Sequence, residues 1–422
     1  MALIMFVIFL ILVFFGVPIS FALGISSIFT LLTIGGYPIA VVAQRMFTAV
    51  DSFPLMAIPF FMLAGLLMDR GGITKRIIDF SLGIVGNIRG ALAHVVAVTA
   101  VIMGGISGSG VANTAAIGSI MIPEMKKRGY DAHFSAALVA CSGSIGLIIP
   151  PSIAMIIYGV SSQVSIGDLF MGGIIPGVLI GVGLMVMSYF IARKRNYPVE
   201  QRVGMREILK RLKRSIWALF MPVIIIVGIR MGVFTPTEGG CVAAVYALLV
   251  GVVIHRDIKV PQIMRIFGEA VIITASISFL IATSSLFSWI LTAEQIPQMI
   301  TRLFLSLTDN KYIMLLLINL LLIIVGMFID SGPAIILLAP ILVPVASAMG
   351  INLVQFGVMM VINLTTGLLT PPVGTALFVA SNISGVSLGK LSKAILKFLL
   401  VMYAVMLLSA YVPFITTWAI PK

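Results

Sequence analysis

The sequence has 422 residues, of which 60% are hydrophobic and only 10% are charged. This composition excludes a sizeable soluble domain and predicts a polytopic, all-α membrane protein. The formal net charge of +13 would suggest a nucleic-acid partner in a soluble protein. Here the lysines and arginines lie in short connections between apolar runs, where they set membrane orientation, so no nucleic acid is expected.

The chain opens with the apolar stretch MALIMFVIFLILVFF, which lacks a basic n-region and is expected to stay as a membrane segment. Residues 1–85 are predicted to hold scaffold and arm helices. The next apolar block, residues 90–123, is interrupted at SGSG and flanked by Arg89 and by the KKR of residues 126–128. Because both flanks are basic, both ends should lie in the cytoplasm, which predicts a re-entrant helical hairpin.

The following run, residues 131–162, contains GLIIPP. In a helix the carbonyls of Gly146 and Leu147 would bond to residues 150 and 151, but both are prolines without an N–H. The run is therefore predicted to be a broken helix that offers free carbonyls to a cation and a positive helix end to an anion. The basic segment 193–214 then marks a cytoplasmic loop.

The second half repeats this order. A block over residues 311–345 is interrupted at DSGP, and GLLTPP follows it, with Gly367 at the offset from Gly146 that also relates Gly326 to Gly105. The second hairpin carries the uncharged loop VASAMGIN where the first has KKR, so it should enter from the opposite side. This pattern predicts an inverted-topology repeat with two hairpins and two broken helices. An ordinary helical bundle with proline kinks explains neither the paired positions nor the charge asymmetry.

Polar side chains are concentrated at these interruptions. Asp330 is the only acid deep in an apolar block, and an intramembrane carboxylate usually has a function. Single glycines and serines, in contrast, often serve only close packing of membrane helices. The three histidines are scattered, and no Ser-His-Asp, HExxH or P-loop arrangement occurs, so no enzyme and no catalytic residue is predicted.

Four stretches closely resemble the large membrane subunit of the tripartite ATP-independent periplasmic (TRAP) transporters: GISGSGVANTAAIGSIMIPEM, GLIIPPS, GVFTPTEGG and GLLTPPVGTALFV. The resemblance runs from Met1 to Lys422. It implies an elevator-type transporter in the bacterial inner membrane that imports an organic acid, such as sialic acid or a C4-dicarboxylate, with Na+ as the coupling ion. The implied partners are a small four-helix membrane subunit on a separate chain and a periplasmic substrate-binding protein, and no organic cofactor is implied.

Carried over by position, the resemblance also implies two sodium sites and one substrate site. The first sodium site would comprise Gly105, Ser107, Gly146, Ile149 and Pro151, and the second Gly326, Gly367, Thr370 and Val373. The substrate would be held by Ser109, Asn113, Ser152, Asp330, Ser331 and Thr375. The transport domain would be residues 86–163 and 311–384, with residues 1–85, 164–310 and 385–422 as scaffold.

Three other functions stay open at this stage. Paired re-entrant segments also build channels, although channel repeats usually surround an axis along the membrane normal. An intramembrane enzyme would need residues that this sequence lacks. A stand-alone divalent-anion sodium symporter of similar architecture differs from a TRAP subunit in one testable way, because only the TRAP subunit should co-purify with a small membrane partner.

Overall fold

A computed structural model of the chain describes residues 2–34, 37–200, 203–371 and 374–420. Within these ranges every regular element is a helix. Seven of the described helices are long and apolar enough to cross a membrane, and shorter apolar helices accompany them. The structure therefore confirms an all-α, polytopic membrane protein.

The helices fall into two stretches of similar order. The first stretch contains α1 (Ala2–Phe14), α2 (Ile19–Ile34), α3 (Ala40–Val50), α4 (Ala57–Arg70), α5 (Ile73–Val85), α6 (Ala91–Ser107), α7 (Gly110–Lys127), α8 (Ala132–Ser144), α9 (Ile153–Ser162) and α10 (Ile166–Arg195). The second contains α11 (Met205–Arg230), α12 (Pro236–Leu249), α13 (Val260–Ala293), α14 (Ile296–Leu307), α15 (Lys311–Gly326), α16 (Ser331–Ala348), α17 (Leu353–Gly367), α18 (Thr375–Ser384), α19 (Leu388–Tyr411) and α20 (Phe414–Thr417). Short 3-10 turns precede α4 and follow α8, and a π-turn extends α12.

The first predicted hairpin consists of α6 and α7, joined by a tight turn. Gly108 in this turn has a φ of +61°, a left-handed conformation that glycine adopts without strain. A Cβ atom at this position would also lie 2.8 Å from the carbonyl oxygen of Pro151, so the turn packs against the first break. The second predicted hairpin consists of α15 and α16, with the chain turning over residues 327–330.

The two predicted breaks interrupt helices that start alike. Residues 145–152 separate α8 from α9, and residues 368–374 separate α17 from α18. The side chains of Asp131 and Asn352 accept hydrogen bonds from the first main-chain N–H groups of α8 and α17, which satisfies donors that a helix start leaves free. The same capping device therefore opens the helix that leads into each break.

The helices pack into two groups. In one group α7 packs against α18 and α16 against α9, so each hairpin contacts the broken helix of the other half. The long helices α10 and α19 pack against each other and against α6, α8 and α17. In the other group α12 packs on α4, while α13 packs on α2, α3 and α4. The sequence-based division places α10 and α19 in the scaffold, and that division stays a prediction.

Two short helices connect these groups. Helix α5 packs against α6 of the first hairpin and against α11, and α14 packs against α16 of the second hairpin and against α13. Helix α5 is amphipathic, because Ile73, Ile77 and Ile78 are buried while Lys75 and Asp79 are exposed. Its polar face is therefore free to line the surface beside α11.

Candidate functional site

A cavity of about 240 Å³ lies between the two hairpin tips. Its walls come from both turns, from the start of α9, and from Ile273, Ile277 and Leu280 of α13. Three of the six predicted substrate residues line it, namely Ser109, Asp330 and Ser331. The structure thus brings the two tips together at one site, with α13 on the facing side.

Three helices begin in the wall of this tip cavity: α7, α9 and α16. Ser109 caps α7 by accepting a hydrogen bond from the N–H of Ala112 at 3.4 Å. The N-terminal ends of helices carry positive partial charge and unpaired N–H groups, which suit an anion. The cavity therefore offers an anion three helix ends, although no lysine or arginine is among the described residues that line it.

Asp330 supplies the one acidic side chain of the tip cavity. It stands at the N-cap position of α16 but makes no side-chain cap bond. Instead its Oδ1 accepts a hydrogen bond from the hydroxyl of Thr375 at 2.8 Å, which links the second tip to the start of α18. Two predicted substrate residues are thereby paired with each other, although Thr375 does not line the cavity.

Two members of the first predicted sodium site, Ser107 and Gly146, lie beside Asn113, which was predicted as a substrate residue. The Ser107 hydroxyl donates to Oδ1 of Asn113 at 2.7 Å. Nδ2 of Asn113 is buried without a hydrogen-bond partner, and it lies 2.3 Å from where a Cβ atom of Gly146 would be. The oxygen and nitrogen of an amide side chain occupy nearly the same space, so the amide can rotate by half a turn. Its oxygen would then face Gly146, and its nitrogen could donate a hydrogen bond to the Ser107 hydroxyl. The cluster therefore fits an oxygen-ligated cation.

Other members of the first sodium site are placed differently. Gly105 faces Pro222 of α11, whose Cβ would be 2.9 Å from a Cβ atom added to the glycine. Its neighbour Gly104 is the residue that approaches Gly146. A Cβ atom added at Gly104 would lie 3.5 Å from the Cα atom of Gly146. The side chain of Ile149 packs on Gly104. The contact predicted for Gly105 thus belongs to the preceding residue.

The second predicted sodium site contains a direct glycine contact. A Cβ atom at Gly367 would lie 2.6 Å from the Cα atom of Gly326, so only glycine fits this crossing. The Thr370 hydroxyl shares a hydrogen bond of 2.8 Å with the Tyr403 hydroxyl of α19. Val373 lies outside the described residues.

The structure corrects part of the expectation that the breaks leave their carbonyls unpaired, because one of the two carbonyls in each break is hydrogen-bonded within the chain. The carbonyl of Leu147 accepts a hydrogen bond of 2.5 Å from the Ser152 hydroxyl, and the carbonyl of Gly367 accepts one of 2.8 Å from the N–H of Thr370. Ser152 also caps α9 by accepting from the N–H of Met155. Ser152 is fully buried and is not among the described residues that line the tip cavity, and Asn113 and Thr375 are not among these lining residues either.

Two polar features at the site escaped the sequence analysis. A small cavity of about 50 Å³ joins Ser107 and Asn113 to Asp69 at the end of α4. Farther along α15 and α17, the buried Asn363 donates to Oδ1 of Asn319 at 2.8 Å. The signal for the asparagine pair was present in the sequence, since both residues interrupt otherwise apolar runs.

Comparisons with known proteins agree on one family. The family model of the DctM component of tripartite ATP-independent periplasmic transporters matches residues 6–415. The sialic acid TRAP transporter large permease protein SiaM of Vibrio cholerae is 42% identical over 402 residues, covering 95% of this chain and 94% of the relative. The isethionate TRAP transporter permease protein DctMQ of Oleidesulfovibrio alaskensis is 43% identical over 399 residues, which cover 94% of this chain. The match spans only 63% of the length of that relative.

A solved structure resembles the fold at low sequence identity. The crystal structure of the Alcanivorax borkumensis YdaH transporter matches with a TM-score of 0.67 at 14% identity, covering 88% of this chain and 87% of that chain. At this identity the likeness concerns the fold alone.

Proposed function

The chain belongs to the DctM component family of the tripartite ATP-independent periplasmic transporters, and from this premise we propose that it is the large permease of a sodium-coupled importer of an organic acid. The named relatives carry sialic acid or isethionate, both of which are anionic at neutral pH. The substrate class we assign is accordingly a small organic anion that also carries hydroxyl groups.

The tip cavity is the observation that carries this proposal. It combines three helix starts, which favour negative charge, with Ser109, Ser331 and Asp330, which can exchange hydrogen bonds with substrate hydroxyls. Ile273, Ile277 and Leu280 of α13 form an apolar wall of the same cavity. Such a site binds an anion through helix ends and hydroxyls without a fixed cation.

Sodium is the proposed coupling ion because the groups beside the tip cavity are neutral oxygen ligands. Ser107 and Asn113 at the first break, and Thr370 at the second, offer hydroxyl and amide oxygens next to main-chain carbonyls. A proton-driven mechanism would instead use titratable groups, for which Asp69 beside the first site and Asp330 beside the second are the candidates, and the transport experiment below distinguishes protons from sodium. Two sodium ions, one at each break, match the duplicated arrangement.

We propose an elevator movement, and the packing of the helices into two groups supports it. We place both hairpins and both broken helices in one moving body and, in a departure from the sequence-based division, add α10 and α19 to it, because these helices contact one another across both halves. The group built on α4, α12 and α13, together with α11, which packs against α12, forms the scaffold. The shared caps at Asp131 and Asn352, together with opposite loop charges, support an inverted repeat with re-entrant hairpins.

The proposed location is the bacterial inner membrane. The proposed partners are a small membrane subunit and a periplasmic binding protein that delivers the substrate. Leu3, Leu10 and Phe14 of α1 are exposed, and they form an apolar surface that a membrane partner or lipid can cover.

Reconstituted transport tests the proposal. Proteoliposomes that contain the chain, its small subunit and a loaded binding protein should take up radiolabelled sialic acid, isethionate or a C4-dicarboxylate under an inward sodium gradient. Uptake should rise with sodium at a Hill coefficient above one, and potassium at equal concentration should not replace it. Uptake driven equally well by a pH gradient without sodium would overturn the assignment of both cation sites.

A further inference from the structure

A large basic cavity, on the side that the sequence predicts to be cytoplasmic, is separate from the tip cavity. It has a volume of about 840 Å³ and lies between α4, α5, α11 and the end of α12. Five cationic side chains and two carboxylates line it, with Trp217, Ile254 and His255: the cations are Arg70, Lys75, Arg76, Lys213 and Arg214, and the acids are Asp79 and Asp257. We name it the basic cavity.

The charges of the basic cavity are only partly neutralised from within the protein. Arg76 pairs with Asp257 at 2.7 Å, and Arg70 pairs with Glu269 at 3.1 Å. In contrast, Lys75, Lys213 and Arg214 form no ion pair with any described residue. Asp79 is the only lining carboxylate left to oppose these three cations. The cavity thus retains a net positive charge.

The position of the basic cavity matches the boundary between headgroups and acyl chains. Its polar side is built from segments predicted to face the cytoplasm. On the other side Trp217 and Ile254 are 43% and 41% exposed, and Phe220 and Val223 continue an exposed apolar strip along α11. Tryptophan is enriched at the membrane–water interface, where its apolar ring contacts the lipid and its N–H can hydrogen-bond to water or headgroups. A ligand with a negative head and apolar tails fits this arrangement.

We propose that the basic cavity binds the phosphate headgroup of an anionic phospholipid, with the acyl chains lying along Trp217 and Phe220. The positive-inside rule explains why basic residues lie on this side, but it requires no convergence of side chains from two helices into one concavity. Lys75 comes from α5, whereas Lys213 and Arg214 come from α11. A bound phosphate would therefore bridge the connecting helix α5 to α11.

Lipid titration of the purified full-length chain tests this site. Native mass spectrometry should show preferential retention of phosphatidylglycerol over phosphatidylcholine, and phosphatidylglycerol should raise the thermal midpoint in detergent. Each cation near a membrane surface contributes about a fivefold change in affinity. The Lys213→Gln/Arg214→Gln variant should accordingly bind phosphatidylglycerol roughly 25-fold more weakly, and Lys75→Gln about fivefold more weakly.

The matched control is Arg206→Gln/Lys210→Gln, which removes the same charge from α11 outside the cavity and should keep wild-type affinity. Circular dichroism and size exclusion establish that each variant folds, and the single Lys75 variant tests the site independently of α11. Equal affinity of the wild-type chain for both lipids, or an equal loss in the control, would overturn the proposal. Equal stabilisation by inorganic phosphate without lipid would overturn the lipid as the source of the headgroup.

Discussion

At the scale of single residues, the negative charge of Asp330 has to be reconciled with an anionic substrate in the same cavity. A carboxylate lines a cavity that otherwise favours an anion, because three helix starts meet there. Two features offset its charge: it stands at the positive end of α16, and the Thr375 hydroxyl donates to it. Its free oxygen is then available to accept a hydrogen bond from a hydroxyl of the substrate. The side chain can thus orient the substrate without binding its acid group.

Substitution of Asp330 tests this role. Asp330→Ala should reduce uptake by at least about tenfold, because a hydrogen bond to a charged group contributes about 1.5–3 kcal/mol. Thr375→Val should have a smaller effect of the same sign, since it removes one donor to the carboxylate. The matched control is Asp309→Asn, an exposed acid in the loop before α15, which should transport normally. Near-normal uptake by Asp330→Ala would return this residue to a structural role.

Gly146 tests the first cation site in the same way. In Gly146→Ala the added methyl group would meet Asn113 Nδ2 at 2.3 Å, so the amide must leave its place beside the break. We expect a weaker apparent affinity for sodium in proteoliposome uptake, with unchanged substrate capture by the binding protein. Gly268→Ala is the control, because no atom lies within 4 Å of its added Cβ. A sodium dependence identical in both variants would contradict the assignment.

At the scale of elements, the sequence predicted the interruptions well because glycine and proline act locally. Proline removes a main-chain donor wherever it stands, so both breaks could be located without knowledge of their neighbours. The contact of Gly104, not Gly105, with Gly146 depends on how α6 is rotated against the break. The pairing of Asn319 with Asn363 likewise depends on the register of α15 against α17. Tertiary packing decides which neighbouring residue makes each contact. The two asparagines were therefore visible in the sequence as polar residues in apolar runs, but their pairing was not.

The cap of α8 gives an element-scale prediction about pH. Partial burial raises the pKa of Asp131, but hydrogen bonds from the ring and N–H of His133 and the N–H of Phe134, with the charge of Arg195, lower it below the usual value overall. A carboxylate with a lowered pKa adds stability above its unfolded pKa and loses it as the pH falls through the folded pKa. Asp131 should therefore stabilise the protein at neutral pH and not in acid.

Thermal unfolding in detergent measures this effect. Asp131→Ala should cost about 1 kcal/mol at neutral pH, the usual value of an N-cap, and the difference from wild type should shrink on acidification. Asp131→Asn should lose less, because asparagine caps the corresponding helix α17 at Asn352. A deficit of Asp131→Ala that is constant from neutral to acidic pH would show that the carboxylate charge is not involved.

At the scale of the whole molecule, the inverted repeat predicts opposite sidedness for the two hairpins. The sites to be labelled lie at the ends of the hairpins, near Lys127 at the end of α7 and near Ser347 at the end of α16. The labelling uses a background in which Cys141 and Cys241 are replaced by alanine. A single cysteine near Lys127 should react with a membrane-impermeant maleimide only from the cytoplasm, and one near Ser347 only from the periplasm. Labelling of both from one side would exclude the inverted repeat while leaving the helix assignments unchanged.

The membership of α10 and α19 in the moving body gives the last prediction. A Cβ atom at Gly183 of α10 would lie 3.7 Å from the Cβ atom of Val401 of α19, a separation that suits a disulfide. At the start of α10, a Cβ atom at Gly167 would lie 3.3 Å from Cγ2 of Ile229 of α11, so these two positions are neighbours. Oxidised Gly183→Cys/Val401→Cys should keep most of its uptake, because both helices travel together.

Oxidised Gly167→Cys/Ile229→Cys should stop uptake, because it ties the moving body to the scaffold, and reductant should restore it. The two variants control for each other, since each has one disulfide on α10. Blocked uptake in the first variant would mean that α10 and α19 move apart during the cycle. Full uptake in the second, with complete cross-linking on gels, would mean that α10 stays with the scaffold while the hairpins move past it.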